Sequence, residues 1–205
     1  MLRQLLLTAL PLLPTTVSPS VALPPSAPLE VFLTTAEALE LAFPDCEIDK
    51  ETIWMTKEQR EQVEALLDEE LPSGIARPYV ARTKVDEGQG ELVGYAWFDT
   101  HRVRTHKEVV MFATDPEGTI ERIELLAFGE PADYIGPDKW YALFLGQSLT
   151  DELRVGRAIR PITGASLTVH ATTNAARRSL ALQQILLPPP EPEPEPAAGR
   201  VSGAR

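Results

Sequence analysis

The chain has one cysteine, Cys46, in 205 residues. A lone thiol makes no internal disulfide, supplies no Cys-x-x-Cys-His haem attachment, and does not sit where a lipoprotein signal would need it. Its place just past a short helix reads as a small packed residue. Histidine is scarce as well, and His101, His106 and His170 are too scattered for a recognisable metal motif. Basic residues number 19 against 30 acidic ones, a net charge of −11. Such a surface repels nucleic-acid phosphates, so no nucleic-acid partner is expected. The longest apolar run is well short of the ~20 residues that cross a bilayer. No repeat of solenoid period occurs. Gly88-x-Gly90-x-x-x-Gly94 misses the dinucleotide fingerprint and lies between two strand-like runs, so it reads as a hairpin turn.

The ends carry their own signals. Met1-Leu2-Arg3, the apolar Leu5–Leu13 and the small residues Ser20-Val21-Ala22 fit an export signal over 1–22. The expected location is therefore exported, periplasmic or membrane-associated. Residues 23–34 read as a proline-rich leader. Residues 188–205, with Pro-Glu repeats, read as an extended, disordered tail. Between them, 35–187 has the size of one domain.

Within that domain, Thr35–Phe43 predicts a short helix with Ala38, Leu39 and Ala42 on one side, stopped by Pro44. Thr56-Lys57-Glu58-Gln59 is a capping box, and Val63, Leu66, Leu67 and Leu71 follow at helical spacing up to Pro72. Strand-like runs then take over. Tyr79–Val85 and Glu91–Phe98 flank the glycine turn, and Lys107–Thr114 and Thr119–Phe128 flank Asp115-Pro116-Glu117-Gly118. Val109–Phe112 is apolar on both faces, which predicts a central strand. Asp138–Leu145 and Val169–Leu187 read as helices. The expectation is a single α+β domain, an antiparallel sheet of about four strands flanked by helices.

The most telling stretch is Thr163-Gly164-Ala165-Ser166-Leu167-Thr168, which runs into the last helix. A helix start offers free N–H groups and a positive dipole end, and so suits a phosphate. Ser166 there is placed to cap the helix, to touch a phosphate or to be joined to one. This stretch resembles the flavinylation motif of the FMN-binding domain family, typified by the small flavin subunits of the Rnf and Na⁺-pumping NADH:quinone complexes. Members read roughly (S/T)-G-A-(T/S)-x-(S/T). Upstream words are similar too: Val93-Gly94-Tyr95-Ala96, Phe98-Asp99-Thr100-His101, and Phe128 through Tyr134 with Lys139-Trp140.

The resemblance implies an electron-transfer module carrying FMN in phosphoester linkage to Ser166. A separate FAD:protein FMN transferase would use Mg²⁺ to move FMN from FAD onto that hydroxyl and release AMP. A redox partner, a membrane reductase or a cytochrome, would exchange electrons with it. Thr163, Gly164, Ala165, Leu167 and Thr168 would shape the phosphate loop. Arg104 or Thr105 would stand near the ring, where positive charge favours a reduced anionic flavin. Glu130 and Tyr134 would lie on a loop over it, with Trp140 a further stacking candidate. Arg177-Arg178 would aid docking or solvate the last helix. Arg160 stands where members often carry Asp, and members more often carry Thr than Ser at the acceptor. A non-covalent flavin-binding or sensory module of the same fold is therefore the alternative. A serine hydrolase fits poorly, because Thr168 replaces the second glycine of G-x-S-x-G and no acid follows His170 before the tail.

Overall fold

A computed structural model describes residues 29–189. The export signal, the first half of the leader and most of the tail lie outside the described residues. The elements run β1 (Glu30–Val31), α1 (Thr35–Ala42), β2 (Cys46–Lys50), β3 (Ile53–Trp54), α2 (Lys57–Leu67) and β4 (Ile75–Ala76). Then come β5 (Tyr79–Thr83), β6 (Leu92–Arg102), β7 (Lys107–Thr114) and β8 (Ile120–Phe128). A 3-10 turn (Ala132–Tyr134), α3 (Asp138–Tyr141), a second 3-10 turn (Ala142–Phe144) and α4 (Ser166–Leu186) complete the chain.

The antiparallel sheet has six strands in the order β1-β8-β7-β6-β5-β2, and β3 pairs with β4 apart from it. The α+β class is as expected. β7 lies inside the sheet because both of its faces are apolar. Val110 and Phe112 pack with Trp140, Phe144 and the α4 residues Val169 and Leu180. Met111 and Ala113 pack on the opposite face with Ala38, Leu39 and Phe43. One strand thus serves two cores, and burying each such large side chain contributes about 1.5–3 kcal/mol.

Local chemistry sets the boundaries. Thr56 and Gln59 form the expected capping box. Thr34 and Glu37 form another that starts α1. α2 stops at Leu67 because Asp68 turns left-handed, at φ 57°. Leu71 is still buried, but on the following loop. The Asp115–Gly118 turn closes with Gly118 N–H on the Asp115 carbonyl at 3.2 Å. Gly90 has a steric cause: a Cβ there would stand 1.8 Å from the Thr83 carbonyl oxygen. The sheet also reaches back before residue 35, since Glu30 and Val31 pair with Phe128 and Ala127. Among the described residues no helix is long and apolar enough to cross a membrane.

Candidate functional site

α4 starts at Ser166, so Ser166 is the first helical residue and Ala165 occupies the cap. Alanine offers no side-chain oxygen, and no side-chain cap bond forms. The N–H groups of Ser166, Leu167 and Thr168 find no acceptor among the described residues, whereas Val169 N–H already bonds the Ala165 carbonyl. Gly164 makes the approach possible by adopting φ +87°, a backbone region costly for L side chains. Ser166 is exposed, and its hydroxyl has no partner among the described residues. A bare helix start beside a free hydroxyl has the donor set that a phosphate group needs.

Around this start lies a cleft of about 220 Å³ lined by Val103, Arg104, Glu130, Tyr134 and the Gly164–Thr168 stretch. The sequence-selected residues thus converge from three places in the chain. The β6–β7 turn brings Arg104, the loop after β8 brings Glu130 and Tyr134, and the α4 start brings the rest. Thr163 is exposed and sits just outside the lining. Thr105 also lies outside it. Its N–H donates to Glu130 Oε1 at 2.6 Å and its hydroxyl to the same oxygen at 3.1 Å. His106 N–H adds a third bond there at 2.8 Å. Burial works to raise the Glu130 carboxyl, but these donors outweigh it and hold it at about 2. Glu130 is thereby a staple that fixes the Arg104 turn. Thr168 is buried and donates its hydroxyl to the Tyr134 carbonyl at 2.8 Å, which pins the loop to the helix.

Several side chains are set by remote partners. His101 lies on β6 and is bonded at both ring nitrogens. Its Nδ1 meets Asp99 at 2.9 Å and its Nε2 meets Glu108 at 2.7 Å, with the side chain only 10% exposed. Glu108 is fully buried and also accepts from Thr172 Oγ1 at 3.0 Å, one turn beyond Thr168. Arg178 neither docks nor solvates: it bonds Asp99 at 2.7 Å and Glu69 at 2.8 Å. Arg177 is buried and donates to the carbonyls of Thr150 and Leu66 at 2.9 and 3.2 Å. Trp140 belongs to the core, edge-on to Tyr141 and Phe144, with its indole N–H on the Arg160 carbonyl at 2.8 Å.

No protein-family model matches the chain, and no curated protein is significantly similar to it. The functional reading therefore rests on the site itself. Its size is informative, because closed small-molecule pockets span roughly 300–1,000 Å³. A cleft of about 220 Å³ would enclose a phosphate and part of an attached chain, leaving the rest of a nucleotide-sized ligand at the surface. The donor set and the open mouth fit a phosphate group carried by a larger ligand. Ser166 has no catalytic histidine beside it, since His170 is exposed one turn along and makes no hydrogen bond to it.

The buried network gives a pH prediction. Burial works to lower the His101 imidazolium, but its bonds to Asp99 and Glu108 win and raise it from 6.5 to about 9. A raised folded-state value means stability is complete below pH 6.5 and is lost as pH rises toward about 9. Urea midpoints should fall across that window, and His101→Asn should flatten the slope. An unchanged midpoint from pH 6.5 to 9 in the parent chain would contradict a charged His101.

Proposed function

We propose that this chain is an exported electron-transfer flavoprotein module, with FMN held at the start of α4 by a phosphoester on Ser166. The observation that carries this reading is the convergence of Arg104, Glu130, Tyr134 and the Gly164–Thr168 stretch on one cleft. Those residues were selected from the motif and its upstream words, and they lie far apart in sequence. Ser166 Oγ would form the new O–P bond, losing its proton, while the pyrophosphate bond of FAD breaks and AMP leaves. A separate FAD:protein FMN transferase would perform that step. The N–H groups of Ser166, Leu167 and Thr168 would hold phosphate oxygens. When bound, the isoalloxazine ring would supply reversible electron transfer, and the protein would tune its potential and access. Arg104 would set positive charge beside it, Tyr134 and Leu167 would flank it, and the stapled Glu130 would keep that turn in place. A membrane reductase or a cytochrome is the class of partner such a carrier serves.

Intact mass tests the reading, after co-expression with an FAD:protein FMN transferase in an exporting host. The parent chain should gain one FMN phosphoester, with flavin fluorescence that survives denaturation, and Ser166→Ala should gain none. No added mass on either protein, with flavin lost on denaturation, would replace the covalent carrier by a non-covalent binding module. Added mass on both would move the acceptor to Thr163, the exposed hydroxyl next to the cleft, because the Thr168 hydroxyl is buried and already bonded.

A further inference from the structure

β8 has an incomplete neighbour. β1 covers only its end, at Ala127 and Phe128. Phe32 and Leu33 then donate to the Leu126 carbonyl, after which Thr34 caps α1 and the chain leaves the edge. At the other end, Ile120 exchanges backbone bonds with Gly146 and Gln147. Between these closures, no strand or loop among the described residues pairs with the outer edge of β8 from Glu121 to Leu125.

All of Glu121–Leu125 line a groove of about 690 Å³, walled by Phe32, Ile135, Tyr141 and Leu145. Alternate strand residues point to opposite faces, so consecutive ones share a groove only where it runs along the strand's edge. The inner side of the segment is regular, with Arg122–Leu125 in register with Ala113–Val110 and shifts only at either end. Folds commonly protect an edge with proline, lysine or a covering element. Here the cover stops short, leaving a slot about 17 Å long at the usual strand rise.

The charge of the slot selects an occupant. Arg122 is already neutralised by Glu124 at 2.7 Å. Glu121 and Asp138 line the groove with no ion-pair partner among the described residues. A second copy would set its own acidic edge against this one, in a chain of net charge −11. We propose that the slot takes up an extended segment of a partner protein as an added antiparallel strand, with apolar side chains at alternate positions and a Lys or Arg next along the same face. The added strand follows the path β1 would have kept had it not turned into α1. Its backbone pairs with β8, and along one face its apolar side chains meet Leu125 and Ile123 while the cation two residues further on faces Glu121 and Asp138. This inference does not depend on the flavin reading.

Amide hydrogen exchange on the full chain tests it, with a synthetic peptide carrying valine, valine and lysine at alternate positions as probe. The matched glutamate–valine peptide is the control. The lysine peptide should slow exchange across Glu121–Leu125 by about tenfold or more in a saturable way, and the control should not. Glu121→Lys, at an exposed position, should weaken that binding about fivefold with the melting temperature unchanged. No protection by the lysine peptide, or equal protection by both peptides, overturns the proposal. So does slow exchange there without peptide, which assigns the slot to this chain's own ends if constant, or to a second copy if it grows with protein concentration.

Discussion

Glu108→Ala should lower folding stability by about 3–5 kcal/mol. Glu108 is fully buried, and its carboxylate receives both the His101 ring at 2.7 Å and the Thr172 hydroxyl at 3.0 Å. Truncation leaves a buried imidazolium with Asp99 as its one remaining carboxylate. It strands the Thr172 hydroxyl and opens a cavity where the carboxylate and its stem were packed. Breaking one member of a buried ionic set costs more than the set contributes, because the partners stay desolvated. Glu108→Gln keeps the shape and an acceptor oxygen, so its loss should be about half as large, and His101 should titrate lower in it. Urea unfolding of the three proteins at one pH measures this. A Glu108→Ala loss below about 1 kcal/mol would mean that water reaches the network.

Arg177→Ala should cost about 3 kcal/mol by removing donors from carbonyls that have little else. Arg177 is 5% exposed, and its guanidinium has only carbonyl acceptors among the described residues. It bonds Thr150 and Leu153 on the loop before α4, and Leu66 in the last turn of α2. That last contact sets a cation at the negative end of a helix, where it is favourable. Burial lowers the Arg177 pKa and Arg154 adds to the effect, with the Asp151 carboxylate opposing them in part. Arg177→Met keeps most of the volume and separates packing from hydrogen bonding. If it loses nearly as much as alanine, the bonds carry the effect. If it loses less than about a third as much, packing does. Hydrogen exchange should quicken at Thr150–Leu153 and at the end of α2 in both variants.

The expectations that held concern local or periodic signals. β7 was legible because Val109–Phe112 is apolar on both faces, and the α2 start because Thr56 and Gln59 are three residues apart. β2 was not, since Cys46–Lys50 carries three charges in five residues and owes its strand form to pairing with β5. The helix expected over Asp138–Leu145 is one α-turn followed by a 3-10 turn, because the short segment packs Trp140 and Phe144 into the core instead of continuing. Charges were misread where their partners are remote. Arg178 meets a carboxylate 79 residues away and Arg177 a carbonyl 111 residues away. Position 177 was nonetheless open to periodicity, lying four residues after the buried Thr173 and three before the buried Leu180.

The alanine that opens α4 has a thermodynamic corollary. A serine or aspartate at that position would satisfy one of the bare N–H groups and stabilise the helix by about 1 kcal/mol. Residue 165 leaves that stabilisation unrealised, so the first turn of α4 is held less firmly than it could be. Whatever anion settles there also completes the helix, and by linkage the order of that turn and the occupancy of the cleft must rise and fall together. Fraying at Ser166–Thr168 is then a gauge of loading, readable in the backbone without any signal from the ligand.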